Sequence, residues 1–484
     1  MKLRITAKVL GVLLMFFSIS MLTPIPVSIY YHNHDANPFL IAFAITCLTG
    51  LVLWLIGRKS RHELRTRDGF LIVFLVWFVL GAFGALPFML SYSPHIPWSD
   101  AFFESVSGLT TTGATTLQQI DTIPRAVLYY RQQLQFLGGM GIIVLAVAIM
   151  PLIGVGGMQL YKAETTGPMK DNKLTPKITQ TAKALWMIYV GLNIACIIGY
   201  WLTGMPLFDA IGYAFATVST GGYATHNASI AFYPSDAVYI VSIVFMLLGG
   251  MNFSLHYLAL WRMKLRVYWR DQECRAYLLI YLAISIVVAV TLLLVGTYQH
   301  IGSALIQGAY QVVSFATTTG FVSDASYANW PVFLPILLLF MGLLGGCAGS
   351  TTGGIKIIRA LLYRRQIGRE IRQLIHPHGT FSIKLHNQIV PDRVISSAWG
   401  FLAAYVIIFI VFWLALMGTG MDTKSAFSAI ATCMSNTGPG LGSVADNFSG
   451  ISSFARWLLT ISMLVGRLEV FTVLVLLSPS FWRG

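Results

Sequence analysis

Four times along the chain, an apolar stretch of roughly ten residues stops at a polar turn that carries a glycine. The turns read GLTTTGATT (Gly108–Thr116), ATVSTGGYAT (Ala216–Thr225), SFATTTGF (Ser314–Phe321) and CMSNTGPG (Cys433–Gly440). A helix needs about 20 apolar residues to cross a bilayer, so none of these stretches can cross alone. Non-helical backbone at membrane depth survives only where protein buries it or where it lines a water-filled cavity. A chain with four such stretches must therefore bring them together.

They recur in phase. Aligned on Gly113, Gly222, Gly320 and Gly438, each unit has a small residue 12 positions earlier (Ala101, Ala210, Gly308, Ala426) and another 6 positions earlier (Ser107, Ala216, Ser314, Thr432). A glycine follows 25 to 28 positions later, at Gly138, Gly249, Gly345 and Gly466. Long apolar segments flank each half-length one: 69–93 and 126–154, 180–204 and 237–262, 276–297 and 331–360, 394–418 and 453–478. One match would be noise; four in the same order are an internal repeat. Two further spans, 7–30 and 38–57, precede them. The expected division is a two-helix N-terminal part (1–66) and four units at 67–165, 166–270, 271–375 and 376–484.

Composition agrees. Of 484 residues, 56% are hydrophobic and only 10% charged, far too little charge for a soluble surface of this size. The net charge of +14 is segregated along the chain, which fits the positive-inside rule and not nucleic-acid binding. Arg58–Asp68, the run with Lys162, Lys170, Lys173, Lys177 and Lys183, the run Arg262–Arg275 and the run Arg359–Arg372 fall on one side if the segments alternate. That side is expected to be cytoplasmic and to hold both termini. The other carries Asp35, Asp100, Asp121, Asp209, Asp236, Asp324, Asp422 and Asp446, which would raise the local cation concentration. The five cysteines show no disulfide or metal pattern. The basic N-terminus followed by an apolar run reads as a retained first span, without a clear cleavage site.

The turns suit a monovalent cation. Each half-helix would enter from the acidic side and aim its C-terminal end, with its negative partial charge, at a common axis. Glycine adopts positive φ at little cost, letting a strand turn its carbonyls to that axis, where rings of them can replace an ion's hydration shell. No carboxylate lies within a turn, and threonine and serine hydroxyls would extend the oxygen lining. Re-entrant packing turns, as in secondary transporters, are the alternative. The third unit reads MGLLGGCAGSTTGGIK (Met341–Lys356), so rich in glycine that a helix should break there. A movable loop of Gly345, Gly346, Cys347, Ala348, Gly349, Ser350, Thr351, Thr352, Gly353 and Gly354 is expected; close helix packing through Gly342, Gly345, Gly346 and Gly349 is the other reading. The fourth unit has Gly466-Arg467 where the others have Gly-Gly. Arg467 is either an electrostatic barrier in the pore or a structural partner of Glu469 or of loop carbonyls. Arg131 and Arg456 read as snorkelling side chains. Glu104 and the scattered histidines form no nucleophile–base or metal cluster, so an enzyme is not expected.

These turns, the glycine-rich break and the late arginine resemble the Trk/Ktr/HKT superfamily of cation transporters, over the whole chain, and its bacterial TrkH-type branch in particular. The resemblance implies an all-α polytopic membrane protein with four tandem M1–P–M2 pore units in pseudo-fourfold symmetry plus two extra N-terminal transmembrane helices. It implies a K+ filter at Thr111, Thr112 and Gly113; Thr220, Gly221 and Gly222; Thr318, Thr319 and Gly320; and Asn436, Thr437 and Gly438. In the family, glycine at all four filter positions goes with potassium. Modest selectivity follows from how far the turns depart from the TVGYG of potassium channels, so Rb+ is expected to permeate too. It further implies K+ as the transported ion bound at the filter, no organic cofactor on this chain, a homodimer in the lipid of the bacterial inner membrane, and a cytosolic nucleotide-binding regulator (TrkA-like) docking on the basic linkers. Ion-coupled K+ symport with alternating access is the competing function.

Overall fold

The computed structural model describes residues 3–32, 36–59, 66–91, 95–141, 178–331, 333–385 and 388–483. The first unit's second segment beyond Gly141, the lysines 162, 170, 173 and 177, Asp35 and the middle of the Arg58–Asp68 linker lie outside them, as does the boundary at 165/166.

The chain is a polytopic all-α membrane protein. Six described helices are long and apolar enough to cross a bilayer: Arg4–Tyr30, Ala36–Gly57, Asp68–Leu90, Gln180–Leu202, Gln272–Leu294 and Asp392–Met417. The first two are the N-terminal pair. They pack backbone to backbone, because a Cβ on Gly11 would stand 2.5 Å from the Trp54 nitrogen and one on Gly50 would stand 2.8 Å from the Gly11 carbonyl oxygen. Small residues at such a contact supply the dispersion that holds helices together in lipid.

Each of the other four long helices is followed by a half-helix: Trp98–Leu109, Leu207–Val218, Ile301–Ala316 and Thr423–Ser435. Pro97 and Pro206 set the entry of the first two, and the Asp422 side chain accepts from the Ser425 N–H to cap the fourth. The half-helices begin exposed and are buried towards their C-terminal ends. Small residues admit them: a Cβ on Gly81 would stand 2.7 Å from Val106, and one on Gly308 only 3.2 Å from the Ala289 backbone.

The second long segments differ from expectation. A break was expected only in the third unit. In the second unit, Asp236–Gly250 and Phe253–Arg262 meet at a bend of 100°; in the fourth, Ser453–Arg467 and Val470–Leu477 meet at 110°. In the third, Phe333–Leu344 ends, the chain runs irregularly to Lys356, and a helix resumes over Ile357–Ile375. In the first, Arg125–Phe136 passes into a π-helical turn, Leu137–Gly141. A close approach lies in each of these segments. Each segment passes under the C-terminal carbonyls of its half-helix, where a Cβ on Gly138 would stand 1.8 Å from Leu109 O, on Gly249 2.9 Å from Val218 O, and on Gly466 2.1 Å from Met434 O. In the third unit Gly342, and not Gly345, takes this place, 3.4 Å from Phe315 O.

Candidate functional site: a ring of four turns over a loop

Each half-helix ends in the same way. The N–H of the residue before the glycine donates back to the carbonyl of the small residue six positions before it: Thr112 to Ser107 (2.8 Å), Gly221 to Ala216 (2.8 Å), Thr319 to Ser314 (2.9 Å) and Thr437 to Thr432 (2.8 Å). This closure puts the residue two before the glycine in the left-handed region, with φ of 54° at Thr111, 54° at Thr220, 57° at Thr318 and 57° at Asn436. Asparagine tolerates that conformation, whereas a β-branched threonine there is strained and persists only where its surroundings fix it.

The four turns then close a ring. φ is positive at Gly113 (81°), Gly222 (78°), Gly320 (77°) and Gly438 (97°). A Cβ on Gly113 would stand 2.2 Å from Gly221 O, on Gly222 1.9 Å from Thr319 O, on Gly320 1.9 Å from Thr437 O, and on Gly438 2.5 Å from Thr112 O. Each glycine thus touches the carbonyl of the next turn, and the fourth returns to the first. Among the described residues no donor reaches the carbonyl oxygens of Thr112, Thr319 or Thr437. Buried carbonyls normally have a partner, so three without one at a single ring are unusual.

The hydroxyls beside these carbonyls are engaged locally. Thr112 Oγ1 bonds Thr110 Oγ1, Thr319 Oγ1 bonds Thr317 Oγ1 and Thr437 Oγ1 bonds Ser435 Oγ, each at 2.8 Å, tying the turn to its own half-helix. The second turn has Gly221 at that position, and Gln135 from the first unit fills the space. Its Nε2 donates to Gly221 O and its Oε1 accepts from the Tyr223 N–H at 3.0 Å.

On the basic side of the ring lies the loop 345–354. Thr351 Oγ1 bonds Val218 O (3.1 Å), Gly249 O (3.0 Å) and Thr220 Oγ1 (3.2 Å). The Gly353 N–H donates to Thr318 Oγ1 at 2.8 Å, and a Cβ on Gly353 would stand 1.9 Å from Ser435 O. The loop therefore touches the second, third and fourth turns. Arg467 completes the set: Nη1 donates to Thr351 O (2.8 Å) and Thr111 Oγ1 (3.2 Å), and Nη2 to Gly138 O (2.8 Å) and Gly139 O (3.0 Å). Arg467 meets loop carbonyls, as one reading held. Glu469 pairs instead with Arg359, at 2.5 Å. Both ends of the loop are tied to Glu273, whose Oε1 accepts from the Ala348 N–H (2.7 Å) and the Ile358 N–H (3.1 Å).

Several expectations are corrected. Arg131 does not snorkel: it is fully buried, 3.3 Å from the equally buried Glu104, with its guanidinium 4.1 Å from the Tyr223 ring. Glu104 also takes the Thr115 hydroxyl and the Thr116 N–H, so the pair braces the back of the first turn. Arg456 is held by Asp100 at 2.5 Å. On the acidic side, where nothing overturns the expected cation-concentrating role, Asp121 and Asp209 face His226, Asp324 takes the Tyr298 hydroxyl, and Asp422 caps a helix. Sequence reasoning passed over Gln135 and Glu273. Three glutamines in QQLQ within an apolar segment were the available signal for Gln135; nothing local marks Glu273.

Fold and site together define a multi-pass membrane transport protein with a ring of neutral oxygens at its centre. The chain belongs to the TrkH family of cation transport proteins, whose sequence profile matches residues 36–483. It is 49% identical to the Trk system potassium uptake protein TrkH of Salmonella typhimurium, with 100% of both chains covered. It is 41% identical to the Trk system potassium uptake protein TrkG of Escherichia coli over 99% of both. The crystal structure of the potassium transporter TrkH from Vibrio parahaemolyticus superposes with a TM-score of 0.91 at 46% identity, covering 100% of each chain. The family is one of transporters, not enzymes.

Proposed function

We propose that the chain takes up K+, and Rb+ with it, through a gated, channel-like pore whose filter is the ring of four turns. The observation that carries this is the closed ring itself: each glycine abuts the next turn's carbonyl oxygen, and carbonyls without a protein donor remain at its centre. Four half-helix C-termini around that point add negative potential, and neutral oxygens in rings suit a dehydrated monovalent cation. The relatives are potassium uptake proteins and a potassium transporter, which supports the choice of ion. Loop 345–354 is the gate, its contacts with three turns supporting that role, and Arg467 is both the latch that joins it to the first turn and a positive barrier below the filter. The protein works as a homodimer in the bacterial inner membrane with both termini cytoplasmic. A cytosolic nucleotide-binding subunit docks on the basic linkers, foremost the helix Ile357–Ile375 that leaves the loop directly.

The test is radiolabelled Rb+ uptake into vesicles holding the purified chain. Uptake is expected to follow the K+ gradient and membrane potential alone, unchanged when proton and Na+ gradients are collapsed at constant voltage. Flux that stops with either gradient would establish coupled symport instead.

A further inference from the structure

Beyond Gly250 the second unit's chain turns by 100°, so that, with Asp236–Gly250 crossing the bilayer, Phe253–Arg262 lies close to its plane. From Met251 to Arg270 the sequence holds no acidic residue and four bases, Arg262, Lys264, Arg266 and Arg270. All four are exposed, and with Leu265 and Val267 they line an open recess of about 680 Å3. Among the described residues none of the four has an ion-pair or hydrogen-bonding side-chain partner. The basic helix Ile357–Ile375 differs in part: three of its five arginines are held, Arg359 by Glu469, Arg365 by Gln272 and Arg369 by Asp392.

Large apolar side chains stand between the four bases. Trp261 is 76% exposed and Met263 86%, with Leu265 and Trp269 beside them. From Trp261 to Arg270, at the end of the helix Phe253–Arg262 and past the left-handed turn at Met263, bases alternate with tryptophan and aliphatic side chains, the pattern of a surface that sits between headgroups and acyl chains. A surface for a water-borne partner would not need that apolar component. Guanidinium groups match a phosphate diester in charge and in the geometry of their donors.

We infer that this elbow is a binding site for anionic phospholipid of the leaflet on the basic side, with the phosphate among Arg262, Lys264, Arg266 and Arg270 and the chains against Trp261 and Met263.

Native mass spectrometry of the full chain in neutral detergent, titrated with phosphatidylglycerol and with phosphatidylcholine, tests it. Each base near an anionic surface strengthens binding about fivefold. R262Q/R266Q is therefore expected to hold phosphatidylglycerol about 25-fold more weakly, R262K/R266K to stay within about threefold of the parent, and phosphatidylcholine to bind all three weakly. Should the double variant not fold, R262Q and R270Q taken singly are each expected to lose about fivefold. Equal retention of the two lipids by the parent chain overturns the site. Unchanged phosphatidylglycerol binding in the glutamine variants also overturns it and leaves the surface to a soluble partner. Displacement of the lipid by equimolar inorganic phosphate overturns it as well, since the acyl chains would then add nothing.

Discussion

At the scale of single residues, the site is held by contacts that leave no room for change. Glu104 and Arg131 have no exposed surface, and removing one partner of a buried ion pair costs about 3–5 kcal/mol, mostly from the charge left behind. Glu104→Ala and Arg131→Ala are each expected to lower the melting temperature sharply in detergent, while Glu104→Leu with Arg131→Met recovers most of the loss. Melting curves that coincide with the parent's for either single variant would show that the pair does not brace the turn. Arg467 makes a different prediction, because its partners are loop and turn oxygens. Arg467→Ala is expected to raise basal Rb+ flux several-fold in a folded protein, and Arg467→Lys, which keeps a charge but loses the fork of donors, to fall between. Flux equal to the parent's in a folded Arg467→Ala would remove it from the gate. None of this was legible from Arg131's place in the sequence. Distance from a segment's end says nothing of what the side chain faces, and Glu104, 27 positions earlier, became visible as its partner only in the fold.

Whole elements carry the gate. The loop 345–354 is tied by hydrogen bonds to Glu273, Thr318, Arg467 and the carbonyls of Val218 and Gly249. Deleting Cys347–Thr352 removes most of these and is expected to raise basal flux without help from any regulator. Unchanged flux in a folded deletion would exclude the loop as the gate. The half-helices were legible because length and periodic small residues are local properties. The break of the third unit was legible from glycine density. The breaks of the second and fourth were not: the glycines beside them, Gly249 and Gly466, meet carbonyls more than thirty positions earlier, a contact that appears only in the fold. The spacing rule even misplaced the third: Gly345 aligns by count, but Gly342 makes the contact.

Taken as a whole, the molecule is fourfold only in outline. Gln135 reaches across from the first unit to serve the second turn, where Gly221 replaces the threonine of the others. Asn436 of the fourth turn donates to Thr112 of the first. At the acidic face, His226 of the second unit meets Asp121 of the first at 2.6 Å and Asp209 at 3.7 Å, with Arg125 and Tyr233 also on Asp209. Burial alone would lower the His226 pKa, but its bonds to Asp209 and Asp121 outweigh burial and hold it above the ordinary 6.5. A raised folded-state pKa adds stability that is complete below the ordinary value and disappears as pH rises through the folded one. The melting temperature of the parent is therefore expected to exceed that of His226→Gln most at pH 5–6 and least above pH 8. A difference that grows with pH would reverse that sign. The ring of four glycines remains the central claim, and the K+ to Na+ permeability ratio across reconstituted membranes tests it most directly, measured for Gly113→Ser, Gly222→Ser, Gly320→Ser and Gly438→Ser. Every variant puts a Cβ within 2.5 Å of the next turn's carbonyl, so the account predicts that each of the four, independently, drives the ratio towards one or abolishes K+ flux in a folded protein. Parental ratio and flux in any one of them would contradict it.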